Sequence, residues 1–364
     1  KDTPSRRALS ACINRLNRLE TTVTRPFFME VLRLWKELKL SDADVTTIFM
    51  ITESYLFRRT MVDLPTNALN KIFLTLHKDI MRLDGNEQEY IAKFIYVLLS
   101  KRERSRFPAD DEFIAAFSTR QVYHMNPKNR VYILERFENA DTLEDKDIYG
   151  HVDDGTYSIE HIMPQTLNGD WKAMLGDNFE EIQDKYLHTF ANLTLTGINS
   201  ELSNKAFEIK RDGKKIGNEI YPGYKNSKYR LTKNVTLCDK WTEIELQHRC
   251  NEIVATFLRL YPLPQTTFKP LPKPVDEVSL DEETFSPTNR NLKGFRLFGN
   301  EYNETTWKGM LLQVVKLVME RYTDIVDTLY DAEGFFWSAK QADTRYCTMI
   351  APQKYLWTSM DNRS

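Results

Sequence analysis

The sequence lacks the features that mark several large classes of protein. Its four cysteines are scattered, with no CxxC pair: Cys12, Cys238, Cys250 and Cys347. This pattern offers neither a zinc knuckle nor a disulfide framework, and it suits a reducing compartment. The sequence has no run of eighteen apolar residues and no charged leader followed by an apolar stretch. We therefore predict a cytoplasmic protein without a membrane span.

A strong charge of one sign is also missing. The 364 residues contain 50 Lys and Arg against 52 Asp and Glu, for a net charge of -2. This balance excludes a uniformly basic nucleic-acid binder but leaves room for a local basic face. Apolar residues make up 41% and aromatic residues 12% of the chain, so it can build substantial cores. The length suits two or three domains.

Helical periodicity dominates the first part of the chain. Apolar residues recur at spacings of three and four from Leu9 to Leu19 and from Phe28 to Leu38. Ser41 and Asp44 have the spacing of a capping box, which predicts that a helix begins there. Residues 1–140 are therefore predicted to form a helical domain.

The pattern changes after residue 140, where a second domain is predicted over residues 141–262. Short strands are expected at Tyr157–His161 and Asn192–Thr196, and helices at Ser200–Arg211 and Trp241–Tyr261. Prolines and acidic residues predict a linker at 263–286, and a small α+β domain is expected at 287–364. The predicted fold class is mainly α with small α+β parts.

An acid next to a histidine, Glu160 and His161, closes the first predicted strand of the second domain. Phosphodiester hydrolysis needs a base for the attacking water, and histidine suits that role near neutral pH. Glu160 and Asn199 offer oxygen atoms to one Mg²⁺ or Mn²⁺ ion, and Asn192 can tie the intervening loop. Because successive strand residues point to opposite faces, Glu160 and His161 act together only if the strand ends or bends there.

Each of these residues has an ordinary structural alternative. An isolated histidine is more often structural than catalytic, and an asparagine at a helix start is usually a cap. A glutamate beside a histidine is common by chance, so the ordered combination is what favours a site. His151 and His188 lie nearby in the sequence, and we interpret both as structural or peripheral.

The ordered motifs also resemble a known family. Ile159–Gln165 and Ala191–Ser200, followed by Leu202–Lys205 with Phe207 and Lys210, resemble the HNH (His-Me finger) nuclease domain of GmrSD-type modification-dependent restriction endonucleases. The stretch from Trp241 to Arg249 is similar to the end of that domain. Arg58 and Arg59, with the residues after Pro65, resemble the family's helical connector.

This resemblance implies a ββα-metal fold for residues 141–262. His161 would be the general base, Asn192 would brace the site, and Glu160 and Asn199 would hold the metal. The family often has Asp where Glu160 stands, which puts direct ligation in doubt because the carboxylate is moved by one methylene. The Asp-Gly-Gln-Gln-Arg motif of the family's N-terminal NTPase domain does not occur. That domain is expected as a partner within a longer parent chain.

A basic stretch follows the predicted metal helix. Between Lys205 and Lys233 there are nine basic and three acidic residues, in a chain that is otherwise nearly neutral. A solvated loop is one interpretation, and a phosphate-binding surface is the other. The predicted DNA contacts are Lys205, Lys210, Arg211, Lys214, Lys215 and Arg230.

The sequence therefore predicts a metal-dependent DNA endonuclease or nickase of a restriction or phage-defence system. Its substrate would be DNA, either modified or plain. An alternative from a different class is a catalytically weak or inactive DNA-binding or assembly module of a defence complex, and an RNA target is a third option.

Overall fold

The computed structural model describes residues 4–19, 22–83, 89–142, 144–216, 219–270, 279, 290–323, 336–338, 346–352 and 354–358. The chain divides into two compact units, residues 1–270 and 271–364. The predicted fold class is confirmed, because helices predominate and the strands form only small antiparallel sheets. Most of the predicted linker, including 271–278 and 280–286, and the predicted start of the third unit near Pro287 lie outside the described residues.

The first part of unit one is helical. Helix α3 begins where the sequence predicts, since the Ser41 hydroxyl accepts from the Asp44 backbone N–H at 3.1 Å and the Asp44 carboxylate accepts from the Ser41 N–H at 2.8 Å. The helices of this part are α1 Pro4–Arg18, α2 Arg25–Lys36, α3 Asp42–Met61, α4 Asn67–Met81, α5 Tyr90–Leu99, α6 Asp110–Thr119 and α7 Pro127–Glu138.

The second part of unit one mixes short strands with helices. Its elements are α8 Ile148–Asp153, β1 Ser158–His161, α9 Gly169–Leu175, α10 Phe179–Tyr186, β2 Leu193–Thr196, α11 Asn199–Leu202, α12 Phe207–Asp212, β3 Lys214–Ile216, β4 Glu219–Tyr221, α13 Arg230–Lys233 and α14 Glu243–Leu260. The single helix predicted from Ser200 to Arg211 is wrong. It is interrupted between α11 and α12, where Ser203 adopts a positive φ of 39° that no regular helix accommodates.

Strands β1 and β2 form an antiparallel hairpin in which Ser158 faces Thr196 and His161 faces Leu193. Helix α14 supports this hairpin, because the buried Arg249 side chain donates to the Leu193 carbonyl at 3.0 Å and to the Leu231 carbonyl at 3.1 Å. A guanidinium that bridges two carbonyls in the core fixes β2 against the helix.

The end of α3 and helices α6 and α7 share a hydrophobic core with the second part of unit one, whereas most buried residues of α1–α5 form a separate cluster. Phe57 of α3 stacks on Phe257 of α14 at 5.3 Å between ring centroids and on Tyr261 at 4.2 Å. Phe113, Phe117 and other buried residues of α6 and α7 belong to the same cluster as the hairpin residues. The predicted domain boundary near residue 140 thus falls inside one compact unit.

Unit two contains a predicted hairpin, formed by β5 Phe295–Leu297 and β6 Asn300–Tyr302. Its turn lies at Phe298 and Gly299, which both have positive φ, one residue earlier than the predicted Gly299–Asn300. Helix α15 spans Trp307–Arg321, and β7 Phe336–Ser338, β8 Cys347–Ala351 and β9 Lys354–Trp357 form a sheet in the order β7-β9-β8.

In the part of the chain that the structure describes, no helix is both long and apolar enough to cross a bilayer.

Candidate active site on the β1–β2 hairpin

Asn192 ties the loop that follows β1 to the segment that precedes β2. Its side-chain oxygen accepts from the Met163 backbone N–H at 2.8 Å and from the Trp241 indole at 3.2 Å. Its amide nitrogen donates to the Met163 carbonyl at 2.9 Å and to the Leu187 carbonyl at 3.1 Å. The fully buried Asn192 side chain therefore uses both of its donors and accepts two hydrogen bonds. It holds together the two ends of the segment that connects β1 to β2.

His161 is the last residue of β1, and its side chain lies among other rings. Its Nε2 atom is 3.2 Å from Nδ1 of His188, which comes from the segment before β2. The Tyr123 ring covers it edge-on at 4.4 Å between centroids. Only 6% of His161 is exposed to solvent.

The surroundings of His161 keep its imidazole neutral at physiological pH. Burial lowers the pKa of His161 to about 4, and the neighbouring His188, Lys210 and His124 act in the same direction. Burial also lowers the pKa of His188, with His124 acting in the same direction. Both rings can therefore take a proton at pH 7, as a general base must.

Glu160 has quite different neighbours. Its Oε1 atom accepts from the Lys210 ammonium at 2.7 Å and from the Tyr224 hydroxyl at 3.1 Å. All three side chains are buried, with exposed fractions of 3% for Glu160, 0% for Lys210 and 1% for Tyr224. Burial raises the pKa of Glu160, and the Lys210 ammonium opposes that rise.

The structure does not bring the Glu160 and His161 side chains together. Glu160 contacts α12 and the loop before α13, whereas His161 contacts the Tyr123 and His188 segments. This separation follows from the alternation of side chains along a strand, since β1 stays regular through His161. Direct metal ligation by Glu160 stays a prediction. To bind a metal, Glu160 would have to use its second carboxylate oxygen or break its bond to Lys210.

Asn199 begins helix α11 and lies against β1. Its amide nitrogen donates to the Ile159 carbonyl at 2.9 Å and to the Ser158 hydroxyl at 3.1 Å. These two bonds direct the amide nitrogen toward the strand and leave the amide oxygen as the atom for a metal. Among the residues that the structure describes, no group of three or more His, Cys, Asp or Glu side chains is arranged to hold a metal ion.

The prediction that Lys210 contacts DNA is wrong. The side chain is fully buried, and besides Glu160 its ammonium donates to the carbonyls of His161 at 2.9 Å and Ile162 at 3.2 Å. A side chain with three internal acceptors and no exposed surface cannot reach a phosphate. Its function is to hold the end of β1.

The other predicted DNA contacts divide into two groups. Arg211 is bound to Asp212 at 2.8 Å and to the Cys238 carbonyl at 3.0 Å, and Arg230 donates to the carbonyls of Ala140 and Phe137. These arginines are therefore engaged by the protein itself. Lys214 and Lys215 are exposed on β3, and Lys205 is half-buried. DNA contact by Lys205, Lys214 and Lys215 stays a prediction.

Sequence reasoning missed the rings around His161. The Tyr123 ring stacks on the His188 ring, with 5.5 Å between ring centroids and an interplanar angle of 19°. The ring of the exposed His124 lies 4.2 Å from the His188 ring, again between centroids. The one available signal was position, since His188 lies four residues before Asn192. Tyr123 and His124 carry no local signal, because they reach the site only through the tertiary fold.

One part of the chain matches a known protein family. No curated protein matches this sequence. Residues 107–256 match the family described as GmrSD restriction endonucleases, C-terminal domain, and this range contains every residue of the predicted site. The resemblance is therefore confirmed at the level of that family: residues 107–256 of this chain are related to the C-terminal domain of GmrSD restriction endonucleases.

Proposed function

We propose that this protein is a DNA endonuclease or nickase of a restriction or phage-defence system, of the HNH type. The observation that carries the proposal is the position of His161, at the end of β1 and beside the Asn192-braced loop, within the family-matched range. Asn192 makes the loop rigid, and a rigid loop holds the base in one place. A rigid, neutral imidazole at the end of a hairpin can accept a proton from a water that attacks a phosphodiester.

The chemistry assigned to His161 depends on its protonation state. Because burial lowers its pKa to about 4, with the neighbouring histidines and Lys210 acting in the same direction, the ring is neutral at pH 7 and can take a proton. His161 therefore acts as the base.

We further propose that one Mg²⁺ or Mn²⁺ ion assists the reaction. When bound, the ion supplies positive charge to the phosphate oxygens. Mg²⁺ keeps several waters and needs few protein oxygens, so the amide oxygen of Asn199 fits it as a ligand. Glu160 fits less well, since the Lys210 ammonium already neutralises its carboxylate at 2.7 Å.

DNA binding is assigned to the exposed part of the basic stretch. Lys214 and Lys215 are adjacent on β3, and both are exposed. Each phosphate contact by a lysine releases a counterion, so replacing both should reduce the slope of log affinity against log salt by about 2. Lys205 belongs to the same proposed surface. The NTPase partner domain stays a prediction.

The test is plasmid cleavage by the wild-type chain and by His161→Ala. Supercoiled plasmid and modified or plain phage DNA are incubated with Mg²⁺ or Mn²⁺, and EDTA provides the metal-free condition. Loss of the base should slow cleavage by about 10²–10⁴-fold. The control is His248→Ala, which removes a histidine with 74% side-chain exposure on α14. Equal rates for wild type and His161→Ala would disprove catalysis at this site.

A second candidate is a DNA-binding or assembly module with little or no activity. Two observations favour it: Tyr123 covers His161, and Lys210 binds the Glu160 carboxylate. Such a module would bind DNA in a salt-dependent way without cutting any of the substrates above. Replacing Lys214 and Lys215 with Met would then weaken binding while cleavage stays at background.

A further inference from the structure

The contact between His161 and His188 goes beyond the predicted site. His188 reaches Nε2 of His161 with its Nδ1 atom at 3.2 Å, and the two rings are nearly perpendicular, at 80°. Two ring nitrogens at this distance share one hydrogen, so the contact is a hydrogen bond in which one ring donates and the other accepts.

His188 is itself held firmly in place. The backbone N–H of Tyr123 donates to the His188 carbonyl at 3.1 Å, and the Tyr123 ring stacks on the His188 ring. On the same segment, the Leu187 carbonyl accepts from Asn192 at 3.1 Å. The segment before β2 thus carries both the Leu187 carbonyl that Asn192 binds and the His188 ring that contacts His161. Its position is fixed by contacts with Asn192 and with Tyr123.

The direction of the hydrogen bond decides which nitrogen of His161 is basic. If Nδ1 of His188 accepts, then Nε2 of His161 carries the hydrogen and Nδ1 has the free lone pair. In the reverse arrangement, the lone pair of His161 is used by His188, and the ring cannot act as a base without breaking the contact. Only the first arrangement agrees with a general base at this position.

We propose that His188 is a positioning residue, whose Nδ1 accepts the Nε2–H of His161 and so leaves Nδ1 of His161 as the proton acceptor. This inference rests on the proposed nuclease function. The partner of a catalytic histidine is commonly a carboxylate, which also stabilises the imidazolium. A neutral imidazole orients the base without adding that stabilisation, so His161 can release the proton again readily.

Three substitutions of His188 test this arrangement in the full chain. His188→Ala removes the acceptor and should lower kcat by about 10–100-fold, with KM changed less than about threefold. His188→Asn places its Oδ1 one bond from Cγ, as Nδ1 is, and should recover most of the rate. His188→Gln places its oxygen one atom further out and should behave like His188→Ala. His248→Ala is the matched control and should leave kcat unchanged.

A second readout does not depend on activity. With ¹⁵N-labelled histidine at pH 7.5, the wild-type chain should show Nε2 of His161 protonated and Nδ1 unprotonated, with the assignment made from His161→Gln. His188→Ala should mix the two tautomers, and His188→Asn should restore the single one. This spectrum can be recorded even if a variant folds poorly, because the wild-type tautomer alone tests the direction of the bond.

The outcomes separate this inference from the proposed function. A wild-type chain that shows the expected tautomer but cuts no DNA contradicts the nuclease and leaves the hydrogen bond supported. Cleavage that requires His161 but is unaffected by His188→Ala overturns the positioning role. So does a wild-type spectrum with Nδ1 of His161 protonated, or a loss of kcat that His188→Asn and His188→Gln recover equally.

Discussion

Glu160 and His161 are neighbours on one strand, but their side chains have opposite kinds of surroundings. The Glu160 side is a buried polar cluster, in which an ammonium and a hydroxyl meet one carboxylate oxygen. The His161 side is a set of rings that reaches the surface at His124. The first side is structural, and the second is the side that a substrate would approach under the proposed function.

The polar cluster around Glu160 supports the main chain of His161. The Lys210 ammonium binds the Glu160 carboxylate and also the backbone carbonyls of His161 and Ile162. It therefore fixes the main chain of the residue whose side chain lies on the other face. The buried ion pair fixes the main-chain position of His161, and the ring partners fix the orientation of its side chain.

The largest effect is expected when the ion pair is broken from the Lys210 side. Lys210→Met leaves Glu160 buried without its ammonium, and loss of one partner of a buried pair costs about 3–5 kcal/mol. Urea unfolding followed by circular dichroism measures this loss. Lys214→Met, at an exposed position on β3, is the control and should change stability by less than about 0.5 kcal/mol.

The same experiment has an informative double variant. Replacing Glu160 with Gln in the Lys210→Met chain removes the buried charge, so part of the lost stability should return. Equal stability of the wild-type and Lys210→Met chains would show that the carboxylate is protonated in the native protein and needs no cation.

Acid should lower the free energy of unfolding through the protonation of His161. The folded pKa of His161, about 4, lies below its ordinary value of 6.5, so the unfolded chain takes up the proton first as pH falls. The stability from this group is thus fully present above pH 6.5 and is lost between pH 6.5 and 4. By pH 4 the loss is about 3 kcal/mol, since one pKa unit corresponds to about 1.4 kcal/mol.

Urea unfolding at pH 7, 5 and 4 measures this dependence, and His161→Gln is the matched variant. The wild-type chain should lose more stability than His161→Gln over that range. If the two chains lose the same amount, His161 is already accessible to protons in the folded protein and Tyr123 does not shield it.

Local signals in the sequence predicted the frame of the site. The capping box at Ser41, the two strands and the bonding of Asn192 all follow from neighbouring residues or from short motifs. The placement of the Glu160 and His161 side chains on opposite faces was also predictable, because side chains alternate along a strand wherever β1 remains regular. These are features that a few consecutive residues determine.

Partners that meet only in the folded chain were not predictable in this way. Lys210 lies fifty residues after Glu160, and nothing in its local pattern distinguishes a buried ammonium from an exposed one. The break at Ser203 had no signal either, since a serine rarely takes a positive φ. The sequence indicates only a structural or peripheral role for His188, because its contact with His161 depends on the pairing of β1 and β2.

The smallest expected effect tests whether the polar cluster around Glu160 acts as a network. The Tyr224 hydroxyl donates to the same Glu160 oxygen that Lys210 binds, at 3.1 Å. Tyr224→Phe should cost about 1.5 kcal/mol, the value of one hydrogen bond to a charged group. The control is Tyr149→Phe, because its buried hydroxyl has no hydrogen-bond partner among the described residues. Combining Tyr224→Phe with Lys210→Met gives the coupling: if both donors stabilise one carboxylate charge, losing the second should cost more once the first is gone. Simple additivity of the two changes in the free energy of unfolding would mean that Tyr224 and Lys210 stabilise the Glu160 carboxylate independently and do not form a network.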